Sequence, residues 1–133
     1  MEQRLSLVTL GVEDLRRSIA FYEALGWRRK ARNSQGVAFF QLGGMVLSLF
    51  GREALADDVG VAPFGEGFRG IALAHNVRER HEVDAVVAEV GAAGGSLVKE
   101  PEDKSWGGYA AYVADPDKAY PGLHAHSPFS KSP

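Results

Sequence analysis

The chain has 133 residues, 45% of them hydrophobic and 24% charged, with a formal net charge of −2. That is about one domain's worth of sequence with enough apolar content to bury a core, and its charge gives no electrostatic case for binding nucleic acid or an anionic membrane. Cysteine is absent, which excludes disulfides, thiolate nucleophiles and thiolate metal sites.

LSLVTL at 5–10 is a β-rich run, and Glu13 and Asp14 follow where a helix N-terminus favours negative charge. Leu15, Ile19, Tyr22 and Leu25 recur at helical spacing, with Arg16 and Arg17 on the other face, so a helix is predicted over 13–25 with Gly26 as its stop. A strand is predicted in 27–33, a turn at Asn33 to Gly36, and two strands, VAFFQL at 37–42 and MVLSLF at 45–50, joined by Gly43-Gly44. Residues 51–68 are rich in Gly and Pro and read as a linker, with a turn of helix at Arg52 to Asp57. GIALAHNV at 70–77 opens a second series. Val83, Val86, Val87 and Val90 mark the buried stripe of a helix over 80–93, and Gly94-Gly95 stops it. SLVKE at 96–100 reads as a strand, 101–108 as a loop, YAAYVA at 109–114 as a strand and 122–127 as a last strand. Asp115-Pro116-Asp117 reads as a turn closed by an Asx-type bond rather than as a catalytic carboxylate pair. The short basic run RRKAR at 28–32 reads as a solvated edge strand.

The two series repeat one order: strand, helix, glycine stop, three short strands. This predicts an α+β fold of two βαβββ modules within a single domain, module one at 3–50, linker at 51–68 and module two at 69–129. Neither half could close a core alone, so the ligand site is expected where the halves meet. No apolar run reaches the roughly 18 residues of a membrane span, and MEQRLSLVTL lacks the basic start and apolar stretch of a secretory leader. A cytoplasmic location is the resulting expectation.

The stretches VEDLRRSIAFYEALGW at 12–27, FFQLGGMVLSLF at 39–50, GIALAHNV at 70–77 and WGGYAAYVADPD at 106–117 resemble the vicinal-oxygen-chelate superfamily of glyoxalases, bleomycin-resistance proteins and extradiol dioxygenases. The resemblance covers residues 3–129. It implies pseudo-twofold symmetry, sheets curled around one cavity with helices outside, and a homodimer. It does not by itself imply a chemistry, because this fold carries enzymes and plain binders alike.

Members that are enzymes hold a divalent ion with His or Glu from the first and last strand of each module. Matching the motifs puts Leu7, Ser48, Gly70 and Leu123 at those four places. Leu and Gly offer no side-chain donor and a neutral hydroxyl is a weak ligand. The expectation is therefore no metal and no other cofactor. The four histidines carry the opposing case. His124 and His126 share strand parity, and His75 ends the first strand of module two, so a shifted metal site from these three is the rival reading. His75 is otherwise a cavity-rim or surface residue, and His81 a solvated residue at a helix start.

The remaining candidates are ligand-binding. Ser48 either hydrogen-bonds a ligand or is a small cavity-wall residue; no G-x-S-x-G elbow makes it a nucleophile. Trp106 and Tyr109 flank Gly107-Gly108 and form either an aromatic clamp on a flat ligand or ordinary packing. Phe50 shares Ser48's parity and is expected beside it. Either Phe39 or Phe40 faces the cavity. The expected function is metal-free binding of a small organic molecule, aromatic or antibiotic, through Ser48, Phe50, His75, Trp106 and Tyr109. The alternative is a lyase, isomerase or dioxygenase built on the shifted histidines.

Overall fold

A computed structural model describes residues 1–32, 35–65, 72–105, 107–117 and 122–127, the backbone alone at 72 and 122–127. The chain divides into two compact units, Met1–Gly65 and Glu66–Pro133.

In unit 1, β1 (Leu7–Val12) leads into α1 (Leu15–Ala24), then β2 (Arg29–Lys30), β3 (Val37–Leu42), β4 (Met45–Gly51) and α2 (Arg52–Val59). The sheet order is β1-β4-β3-β2, with β1 parallel to β4 and the other pairs antiparallel. Asp14 caps α1 by accepting a hydrogen bond from the Arg17 backbone N–H at 3.1 Å. Gly26, at φ 91°, ends it. There the Trp27 N–H reaches back to the Tyr22 carbonyl at 3.2 Å, and the two rings stack with centroids 5.3 Å apart. This is a Schellman stop with its apolar contact, and only glycine takes that φ without strain.

The face that α1 buries is Ser18, Phe21 and Tyr22, with Leu15, Ile19 and Leu25 at its margins. The expected stripe was thus displaced by part of a turn. Ser18 and Phe21 are 0% and 1% exposed. Opposite them lie Leu10, Val12, Ala38, Phe40, Leu47 and Leu49, all buried. Tyr22 is the hub, 4.9 Å from Phe21 and 5.9 Å from Phe40, centroid to centroid.

The stretch expected to be linker begins as structure. β4 runs to Gly51 and α2 takes the next eight residues, ended by Gly60 at φ 88°. α2 lies over Gly11, where an added Cβ would come within 3.2 Å of Leu55 and 3.4 Å of the Arg52 Cα. The turn of helix expected at Arg52 to Asp57 is thus a full helix to Val59, underestimated because its apolar positions are two alanines, one leucine and one valine, a weak stripe.

Unit 2 repeats the order: β5 (Ala72–Asn76), α3 (Arg80–Ala92), β6 (Ser96–Asp103), β7 (Tyr109–Ala114) and β8 (Gly122–Ser127). Its sheet runs β5-β8-β7-β6, with β5 parallel to β8. Two βαβββ modules of an α+β fold are therefore present, with α2 added at the end of the first. At the start of α3 the Glu82 carboxylate accepts from the backbone N–H groups of Arg78 and Glu79 at 2.9 and 2.8 Å. Val83 and Val90 are its buried residues. β6 is longer than expected and contains Pro101. Register shifts between Leu97 and Lys99 and between Lys99 and Glu102 absorb the proline, which an edge strand tolerates. Asp115 accepts from the Asp117 N–H at 3.1 Å, the Asx turn expected there. Among the described residues no helix is long and apolar enough to cross a membrane.

Candidate functional site

Each sheet has one face covered by its helix and one that the helix leaves open. Residues paired across a ladder share a face, so the register sorts every candidate.

In unit 1, Phe40 contacts Tyr22 and marks the helix face. The opposite face carries three rows: Leu7, Val46 and Gln41; Thr9, Ser48 and Phe39; Gly11, Phe50 and Val37. Ser48 and Phe50 therefore do lie side by side on the open face, and Phe39, not Phe40, joins them. Ser48 is 3% exposed, a buried hydroxyl between Thr9 and Phe39. α2 closes the Gly11 end of this face.

In unit 2 the decisive residue is Tyr109. Its hydroxyl donates to Asp84 Oδ1 of α3 at 2.8 Å, and the Arg80 guanidinium sits 4.0 Å above its ring. Arg80 is also paired with Asp103. Tyr109 is thus on the helix face, held between α3 and the end of β6, with alternate residues Ala111 and Val113 buried beside it. Burial and the bond to Asp84 both push its phenol pKa up, and the pairing with Arg80 holds the Asp103 carboxyl below its ordinary value. The structure separates Tyr109 from the open face where a clamp was expected. The ring that β7 presents there is Tyr112, 38% exposed. Sequence reading passed over Tyr112 because YAAYVA offers two tyrosines of opposite parity, and nothing in it says which parity meets the helix. Trp106 lies outside the described residues.

Tyr112 has charged company. Lys99 is its ladder partner, and the Lys104 ammonium lies 5.4 Å from its ring centroid. Both lysines bond one oxygen, Glu102 Oε1, at 2.9 and 2.6 Å. First Lys104 and then Lys99 lower the Glu102 carboxyl pKa to about 2, so it is ionised at any physiological pH.

The register also revises the family metal places. Ser48 pairs with Thr9, which precedes the α1 cap Asp14 by five residues (14 − 9). In unit 2 the residue five before the cap Glu79 is Ala74 (79 − 5), and Ala74 pairs with His124. The row decides between the neighbours: His124 shares the open face with Tyr112, whereas Leu123 pairs with Leu73 in the row of opposite parity and so does not match Ser48. Gly70, the place matched to the first strand of module two, lies outside the described residues. At the described places the set is Leu7, Ser48 and, by row, His124. One imidazole and one neutral hydroxyl do not make a divalent-ion site. Among the described residues no group of three His, Cys, Asp or Glu is gathered.

The register divides the three histidines of the rival reading. His124 pairs with Ala74 and Tyr112, and His126 with Asn76 and Ala110, whereas His75 pairs with Ala125, one row out of phase. The backbone register puts His75 in the row of opposite parity to the other two. The side chains of His124 and His126 lie outside what is described. His75 is exposed, and His81 is a solvated residue 3.2 Å from the Glu79 carboxylate.

A sequence profile of the Glyoxalase/Bleomycin resistance protein/Dioxygenase superfamily matches residues 4–119. The chain belongs to this superfamily. A glyoxalase-related enzyme from Fulvimarina pelagi is similar in structure, with a TM-score of 0.84, 35% identity, and coverage of 95% of this chain and 88% of that one. A hypothetical protein from S. aureus gives a TM-score of 0.80 at 28% identity over 96% of this chain and 94% of that one. In sequence, an uncharacterized protein of Mycolicibacterium smegmatis is 35% identical over 102 residues, 77% of each chain. Superfamily membership accounts for the paired βαβββ modules. It leaves the chemistry to the residues just described.

Proposed function

We propose that this superfamily member binds a small organic molecule, aromatic or antibiotic-like, without a resident metal ion, on the helix-free faces of its sheets. The observation that carries the reading is the content of those faces. Where enzymes of the superfamily place several acidic or imidazole donors, this chain places Leu7, Ser48 and a single imidazole, His124, and around Ser48 the apolar rings of Phe39 and Phe50. A buried hydroxyl among rings orients a ligand by hydrogen bonding while the rings supply affinity through apolar burial, at roughly 25 cal/mol per Å² covered. The bleomycin-resistance branch named in the family description is the nearest functional analogue.

The test is thermal unfolding against a panel of aromatic metabolites and antibiotics, with and without excess chelator. A true ligand at about 100 times its Kd adds about 2.7 kcal/mol, which is several degrees in Tm. Chelator alone should leave Tm unchanged. A Tm that falls in chelator and is restored by one particular ion would overturn the metal-free reading.

The proposal includes a homodimer. Each four-stranded sheet ends in edge strands, and pairing or covering such edges is a common use of a twofold interface. Sedimentation at tens of micromolar should give twice the 14.3 kDa chain mass. A single-chain mass at that concentration sinks the dimer and leaves the binding proposal standing.

A further inference from the structure

Two charged clusters flank β7, one on each face, and their charge balance differs. On the helix face the Arg80 guanidinium meets two carboxylates, bonding Asp103 directly and lying over the Tyr109 ring whose hydroxyl bonds Asp84. That cluster carries no excess cation. On the open face the ratio is reversed. Lys99 and Lys104 share one oxygen of one carboxylate, Glu102 Oε1, and among the described residues leave a surplus of one positive charge.

The surplus is held in place. Lys104 opens a tight turn in which its N–H bonds the Gly108 carbonyl at 2.7 Å and its carbonyl accepts from the Gly107 N–H at 2.9 Å. Its side chain is only 16% exposed, and its ammonium faces the Tyr112 ring. Tyr112 itself is exposed enough for a flat molecule to cover. A half-desolvated cation with an incomplete counter-charge favours an anion beside it. The chain's formal net charge of −2 disfavours a polyanion and favours a small one.

We infer that the ligand of this open face is a small aromatic anion, its ring against Tyr112 and its carboxylate between Lys99 and Lys104. The inference rests on the ligand-binding proposal above and narrows it to one charge class. Glu102 then acts as the internal competitor that holds both lysines in position until the ligand's carboxylate joins them.

The experiment uses three probes of one shape and different charge: benzoate, benzamide and benzylammonium. Each is titrated into the isotope-labelled full-length protein and followed by backbone and side-chain chemical shifts. Benzoate should bind with a low-millimolar Kd, about what nine heavy atoms sustain. Its shifts should centre on Lys99, Lys104 and Tyr112. Benzamide should bind about tenfold more weakly and benzylammonium not at all, and added salt should weaken benzoate alone. Lys104→Gln should weaken benzoate about tenfold, and Lys99→Gln severalfold. Glu102→Gln should tighten it severalfold, because it removes the competing carboxylate. Should Lys104→Gln fail to fold, the two variants at exposed positions 99 and 102 decide the matter. Equal binding of benzoate and benzamide overturns the anion inference and leaves the binding proposal intact. Weaker benzoate binding by Glu102→Gln also overturns it, as do shifts centred elsewhere. No shift with any probe at about 20 mM overturns it outright.

Discussion

Tyr22→Ala should lower the free energy of unfolding by about 3–5 kcal/mol. Tyr22 is fully buried and touches Phe21, Trp27 and Phe40 with its ring. Truncation removes that apolar burial and leaves a ring-sized void between α1 and the sheet. Trp27 and Phe40, which stack on and tilt against the ring, lose their shared partner as well. Urea unfolding would read the loss as a fall in midpoint at constant slope. Arg16→Ala, on the exposed side of the same helix, should change stability by less than about 0.5 kcal/mol. A loss below about 1 kcal/mol for Tyr22→Ala would mean that α1 does not pack on this sheet as described.

Most of the architecture could be read in the chain because its signals are local. The glycine at position 26, the acidic residue at 14 and the Gly43-Gly44 hairpin each act within a few residues, and each marks an element end in the structure. Parity along one strand is local too, which is why Ser48 and Phe50 could be placed together. What parity does not contain is the choice of face, since that depends on which side the helix lands. Phe39 against Phe40 and Tyr109 against Tyr112 were both questions of this kind. They are settled by contacts between elements distant in sequence: the Phe40 ring with Tyr22, and the Tyr109 hydroxyl with Asp84. Register between strands is likewise non-local. Position 123 looked like the metal place because the turn after Asp117 departs from the family pattern, and only pairing with β5 and β7 puts 124, not 123, in the open-face row. The α2 helix was expected only as a turn at Arg52 to Asp57 inside a linker, because eight residues with a single buried side chain, Ala56, carry almost no amphipathic signal.

The assignment of faces along β7 makes the sharpest test of unit 2, because two adjacent residues should behave in opposite ways. Ala111 is 0% exposed, on the face that meets α3 beside Val83 and Val90. Ala111→Asp would place a carboxylate in the apolar layer of Val83, Val90 and Val113. Burying an unpaired charge costs several kcal/mol even after its pKa rises, so a loss of about 4 kcal/mol or more is expected, enough to unfold a domain of ordinary stability. Tyr112→Ala, one residue on, removes a ring from the open face. It should cost less than about 1 kcal/mol in stability, since that ring is 38% exposed. Its effect should appear instead in binding, as a loss of about tenfold in affinity for a ligand that stacks there. Circular dichroism melts and the benzoate titration measure the two halves of this prediction on the same preparations. If Tyr112→Ala proves the more destabilising of the pair, the faces have been exchanged, and Tyr109 with its Arg80 and Asp84 partners becomes the ligand-facing ring.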